Sequence, residues 1–151
     1  MTREDLIREM DRQVKLVRTE YGLTQEAMAR ALGLSKKTLV EIEKGRSSLG
    51  WMGAAAFCTV FSGSQVLARL LGGEASDMVR ALAFEDLRPT YPPTMGGRVW
   101  WRTIEERNGF RIQQNILSQH YRALDSRNGR VCSFFDLEQV RRTVDELEGS
   151  E

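Results

Sequence analysis

Apolar positions recur at helical spacing through the first seventy or so residues and at every second residue beyond about position 98, so the chain changes character along its length. Met10, Val14, Val17 and Tyr21 fall at i, i+4, i+7 and i+11, one face of a first helix that Thr2 can cap and Gly22 ends. Thr24 is an N-cap for a short second helix over 25–32, with Ala27, Met28, Ala31 and Leu32 as its expected inner face. Gly33 breaks that helix, and Ser35 caps a third with Leu39 and Ile42 turned inward and Gly45 at its end. Positions 48–61 are apolar nearly all round, which predicts a buried fourth helix; after Ser62-Gly63-Ser64 a fifth runs to Gly72-Gly73. Residues 1–73 therefore read as an all-α domain of five helices.

The next stretch, 74–97, reads as a linker with a short helix at 76–84, because Arg88 to Gly97 holds all three prolines of the chain. From 98 to 151 the pattern predicts a small module of four antiparallel strands and one helix, so the fold class of the whole is α+β. The strands are expected at 99–106, 110–115, 120–125 and 130–135. Asn108-Gly109 and Asn128-Gly129 lie between them, and Asn-Gly is a two-residue hairpin turn because both positions take positive φ. Asp136 with Gln139 reads as a capping box before Leu137, Val140, Val144 and Leu147, one face of the final helix. Trp100 and Trp101 would point to opposite faces, one into the core and one over an edge. So small a unit cannot easily bury Trp100, Trp101, Phe134 and Phe135 together, which leaves large rings for a partner.

Composition narrows the function classes. At 151 residues, 41% apolar and 28% charged, the sequence is that of a folded chain. Its longest weakly polar run, Leu49 to Phe61, spans thirteen residues, against about 20 for a membrane helix. The N-terminus Met1-Thr2-Arg3-Glu4-Asp5 lacks the apolar core of a secretory leader, so a cytoplasmic location and no membrane partner are expected. Cys58 and Cys132 form no C-x-x-C and only one histidine, His120, is present, so the expectation is two small packed thiols, no metal site and no cofactor. His120, Glu105, Glu106 and Asp125 show no spacing that singles out an acid-base pair, so no catalytic residue is assigned and the chain is not read as an enzyme. The formal charge of +1 hides an asymmetry: residues 1–72 carry 11 basic and 8 acidic side chains, 73–97 carry 2 and 4, and 98–151 carry 9 and 9. An anionic partner should meet the first segment.

The segment 22–46 concentrates the chemistry. Two short helices meet at Gly33, the small Ala29 sits where they must approach closely, and the second helix exposes Ser35, Lys36, Lys37, Val40, Glu41 and Lys44. That face is cationic at its start and free of bulky rings, as an element entering a major groove requires. With Val14-x-x-Val17-Arg18, Gly22-Leu23-Thr24-Gln25, Leu32-Gly33-Leu34-Ser35 and Ile42-Glu43-x-Gly45, the sequence resembles the lambda-repressor and Cro-like helix-turn-helix regulators, the XRE family, over residues 14–61. Where relatives usually read Pro-Ser-Leu, this chain has Ser47-Ser48-Leu49-Gly50-Trp51. No family is recognised for 98–151.

The resemblance implies a lambda-repressor-like five-helix domain that binds double-stranded DNA, usually as a dimer, with a recognition helix at 35–44. Lys36, Lys37 and Glu41 match base-reading positions, since lysine suits guanine O6 and N7 and glutamate accepts from cytosine N4. Gln25, Ser35, Thr38, Lys44 and Arg46 match phosphate-gripping positions. Glu41 could instead pair with Lys37 on its own helix. Arg18 and Glu43 match a structural ion pair. The expected function is a DNA-binding transcriptional repressor on a two-fold operator, with 98–151 serving dimerisation or binding a protein or small ligand; the alternative is an antitoxin that binds a partner toxin and regulates its own operon.

Overall fold

The computed structural model describes residues 1–87 and 100–148. The chain divides into two compact units, Met1–Thr90 and Tyr91–Glu151. The proline-rich segment at 88–97 and the expected strand start at Val99 lie outside the described residues.

In the first unit, α1 (Arg3–Glu20) is followed by α2 (Gln25–Leu32), α3 (Lys36–Glu43), α4 (Gly50–Val60), α5 (Gln65–Leu71) and α6 (Ala75–Ala83). The caps follow from the side chains at the breaks. Thr2 and Asp5 form a reciprocal capping box on α1, while the hydroxyls of Thr24, Ser35 and Ser64 accept from Ala27, Thr38 and Leu67 at the starts of α2, α3 and α5. Leu49, at the start of α4, has no side-chain acceptor. Asp11 of α1 takes the Leu49 N–H at 2.8 Å and the Ser48 hydroxyl takes the Gly50 N–H at 3.0 Å, which fixes the register of α4 from outside the helix.

The core is one cluster built from Leu6, Met10, Val14 and Val17 of α1, Met28 and Ala29 of α2, Leu39 and Ile42 of α3, and Phe57 and Cys58 of α4. Phe57 is fully buried, which contributes about 1.5–3 kcal/mol. Several expectations are corrected by this packing. Tyr21 lies at the rim, half-exposed, with its ring edge-on to Phe61 at 5.0 Å, and the buried face of α1 extends instead toward its start, through Leu6. In α2 the buried pair is Met28 and Ala29; Ala31 is exposed because two turns can present only one narrow face to α3 and α4. In α4, Met52 is 85% exposed and Val60 is also exposed, so this helix is buried on one side only despite its apolar sequence.

The short helix expected inside the linker is part of the first unit, which therefore has six helices among its described residues. Ala75 and Leu82 of α6 join the same core. Arg3, at the start of α1, donates to the carbonyls of Leu82 and Ala83 at 3.2 and 3.1 Å and lies 4.6 Å over the Trp51 ring, so it caps the C-terminus of α6 with a cation.

The second unit is an antiparallel meander, β1 (Trp101–Arg107), β2 (Phe110–Asn115), β3 (Tyr121–Leu124) and β4 (Arg130–Phe134), in the order β1-β2-β3-β4, followed by α7 (Leu137–Glu148). Ile112, Ala123, Val140 and Val144 form its core, with Phe110, Tyr121, Val131, Cys132 and Leu137 against it, so α7 covers one sheet face. The register of β1 shifts between Thr103 and Glu105. This bulge turns Glu105 and Arg107 to the helix side, where Arg141 meets Glu105 and Arg107 meets Asp145, both at 2.7 Å.

The two Asn-Gly turns differ. Asn108 and Gly109 both have positive φ, 53° and 79°, as a two-residue type I′ turn demands. In the second loop only Asn128 does, at 62°, and the loop is organised by Asp125, whose carboxylate accepts from Arg127 and Gly129 at 2.9 and 2.7 Å. Gly129 is needed for space: a Cβ there would lie 2.8 Å from the Asp125 carboxylate. Likewise Asp136 caps α7 by accepting from Glu138 at 3.0 Å in place of the expected box with Gln139. Neither Trp100, half-exposed ahead of β1, nor Trp101, on the face away from α7, belongs to the helix-side core.

Candidate nucleic-acid interface

Between α2 and α3 the chain turns in three residues, Gly33, Leu34 and Ser35. Gly33 takes φ 69°, a left-handed conformation that costs other residues about 1–2 kcal/mol. The Leu34 N–H then returns to the Ala29 carbonyl at 2.8 Å. Ala29 itself is 2% exposed, so its methyl is the contact that lets α2 and α3 close on one another. The result is a helix of eight residues whose inner face, Leu39 and Ile42, is anchored in the core and whose outer face is left to solvent.

A buried-edge ion pair locks this arrangement. Arg18 Nε donates to Glu43 Oε1 at 2.5 Å, the two side chains being 18% and 7% exposed, and Arg18 Nη1 also donates to the Leu23 carbonyl at 3.2 Å. Gln25 Nε2 donates to the other Glu43 oxygen at 2.9 Å. Burial pushes the Glu43 carboxyl upward, but the hydrogen bonds from Arg18 and Gln25 and the charges of Arg18 and Lys15 outweigh it and hold the group below the usual glutamate value. One carboxylate thus ties the end of α3 to α1 and to the start of α2, and through Arg18 to the α1–α2 turn.

The residues singled out in the sequence fall into distinct settings. Lys36 and Lys37 are exposed on the first turn of α3, and Lys36 reaches Glu26 at 3.3 Å. Glu41 is half-buried and lies 3.8 Å from Arg46 rather than pairing with Lys37. Ser35 caps the Thr38 N–H and shares a hydroxyl hydrogen bond with Thr38 at 2.9 Å. Lys44 and Arg46 are exposed just past the end of α3. Gln25 stands apart: its side-chain amide is committed to Glu43, because the second carboxylate oxygen needs a close donor that Arg18, at 3.4 Å through Nη2, does not supply.

Two cations were missed in the sequence. A shallow groove of about 340 Å³ is lined by Asp11, Arg12, Lys15, Ile42, Glu43, Lys44 and Gly45, which sets Arg12 and Lys15 of α1 beside the end of α3. Nothing in helical periodicity alone says which neighbour the outer flank of α1 will meet. The thiols are unpaired: Cys58 is buried against Met10 Sδ at 3.5 Å and burial pushes it up to about 11, and Cys132 is half-buried. Among the described residues no group of three or more His, Cys, Asp or Glu could hold a metal ion, and no single helix is long and apolar enough to cross a membrane.

Residues 9–71 match a family model described as a helix-turn-helix domain. This segment is a helix-turn-helix domain. Its two defining helices are α2 and α3. The match ends before α6, whose Ala75 and Leu82 pack into the same core. No curated protein and no solved structure matches the chain.

Proposed function

We propose that the chain is a sequence-specific transcriptional regulator, acting as a repressor, which reads the major groove of double-stranded DNA with the segment 35–44. The observation that carries this reading is the exposed cationic first turn of α3 on a helix whose opposite face is locked in the core. Lys36 and Lys37 stand where the N-terminal residues of a recognition helix meet base edges, with Glu41 one turn further along the same helix. Ser35, Thr38, Lys44 and Arg46 bracket them as phosphate contacts, joined by Arg12 and Lys15 along the groove beside Lys44. With the Gln25 side chain held by Glu43, the group offered to a phosphate at that position is its backbone N–H at the start of α2.

One helix-turn-helix makes too few contacts to bind tightly alone, and a two-fold operator asks for a two-fold protein. The second unit supplies a surface for the second copy: Trp100, Ile116 and Leu117 are all exposed, and the Ile116 N–H donates to the Trp100 carbonyl at 2.9 Å, which gathers them at one end of the sheet.

Titration of the chain against a selected duplex tests the reading. Binding should weaken steeply between low and physiological salt, since each neutralised phosphate releases counterion. Lys37→Ala should lose about 1–3 kcal/mol of discrimination at one base pair, whereas Arg46→Ala weakens all sequences alike. Salt-indifferent binding, or two variants with wild-type affinity and selectivity, would overturn it.

A further inference from the structure

The two faces of the sheet in the second unit differ in how their arginines are partnered. On the side covered by α7, Arg107 meets Asp145 and Arg141 meets Glu105 and Glu138, while Arg102, next to its register partner Gln114, bonds to that amide. The other face carries Arg111, Arg122 and Arg130. Among the described residues none of the three has a carboxylate within 4.0 Å, although Glu106 is the register partner of Arg111. Arg111 bonds to the Asn128 side chain at 2.9 Å. Arg122 is held still, with its Nε on the buried Gln113 Oε1 at 3.0 Å and its guanidinium 3.8 Å over the Trp101 ring. Burial, and then the neighbouring charges of Arg130 and Arg111, hold Arg122 below its ordinary pKa, as three cations gathered on one side require.

Across one end of this face the strands line up Trp101, His120 and Phe135. Trp101 stands edge-on to His120 at 4.9 Å, and His120 lies 5.7 Å from Phe135, which is 77% exposed. Flat rings at one end and unmatched guanidiniums beside them suit a polyanion whose charges alternate with rings. Arginine forks fit phosphate oxygens, and the aromatic row offers apolar walls to sugar rings.

We propose that this open sheet face is a second DNA-contacting surface, which grips the duplex backbone flanking the site read by the helix-turn-helix domain. The inference rests on the DNA-binding reading above. The face adds phosphate contacts without sequence preference, and tethering to the first unit makes its engagement intramolecular once α3 has docked.

The test uses the full chain and two duplexes, one confined to the selected motif and one extended on both sides by a helical turn or more. The wild type should bind the longer duplex more tightly, on the order of tenfold, with a salt slope steeper by about 2 for two added phosphate contacts. The double variant Arg111→Gln/Arg130→Gln should bind both duplexes as the wild type binds the short one. The double variant Arg111→Lys/Arg130→Lys, which keeps the charge, should recover the steeper slope, and matched thermal unfolding of the three chains shows that the fold is kept. Equal binding of the longer duplex by wild type and Gln variant overturns the inference. So does a Gln variant that changes oligomeric state in light scattering while its dependence on duplex length is intact, since the face then joins copies of the chain. If the wild type binds duplexes with no sequence preference and the Gln variant still loses affinity, this inference stands and the sequence-reading role of α3 falls; if the wild type binds no duplex, both fall.

Discussion

Glu43 shows how one side chain can fix the geometry on which a binding surface depends. Its two oxygens receive Arg18 and Gln25, so deleting either donor leaves charge at the edge of the core. Arg18→Ala should destabilise the first unit by about 2–4 kcal/mol in chemical denaturation, because the carboxylate left behind is largely desolvated; an unchanged midpoint would refute the pair's structural role. Because the folded-state pKa of Glu43 is depressed, the stabilisation is fully present above the unfolded glutamate value, about 4.3, and is lost as pH falls through the lower folded value. The stability gap between wild type and Glu43→Gln should accordingly narrow below that value and stay constant from there to neutrality. Gly33 makes a separate demand. No atom lies within 4 Å of a Cβ built there, so the cost of substitution is the positive φ alone. Gly33→Ala should cost about 1–2 kcal/mol and Gly33→Asn less, as asparagine visits this conformation more readily; equal losses in thermal unfolding would point to packing instead.

At the scale of elements, what could be read from the sequence depended on how local the cause was. Thr2, Thr24, Ser35 and Ser64 cap the helices they precede, and the four strands lie close to where alternation placed them, because caps and alternation are decided within a few residues. The place of α6 was not legible, since its partners are Arg3, nearly eighty positions away, and the helices α4 and α5. The same holds for Met52, exposed on a helix whose sequence is apolar all round. The α1 side of the interface, Lys15 beside Lys44, and the commitment of Gln25 to Glu43 likewise come from tertiary contacts. In the second unit, Asp125 holds a loop that the Asn-Gly dipeptide alone misassigns. Gly129→Ala should push the Asp125 carboxylate off its two backbone donors and speed amide hydrogen exchange at Arg127 and Gly129, while Gly109→Ala strains the first turn through φ. Unaltered exchange in Gly129→Ala would remove Asp125 as the organiser.

For the whole molecule, each unit encloses its own apolar cluster, the first around Phe57 and the second around Ile112 and Val140. Residues 1–90 should therefore unfold cooperatively without the second unit, and the core contribution of α6 sets where such a fragment must end. The division of labour proposed for the units places base reading on α3, with self-association at the Trp100, Ile116 and Leu117 end of the sheet and backbone contacts on its open face. The first of these, and the two-fold operator with it, depends on α3 recognising a sequence. Selection of bound duplexes from a random pool by the full chain, followed by sequencing, measures that directly. The account predicts one enriched motif with two-fold symmetry, in which Lys37→Ala relaxes the preference at a single base pair of each half. A bound pool no different in sequence from the input would contradict it.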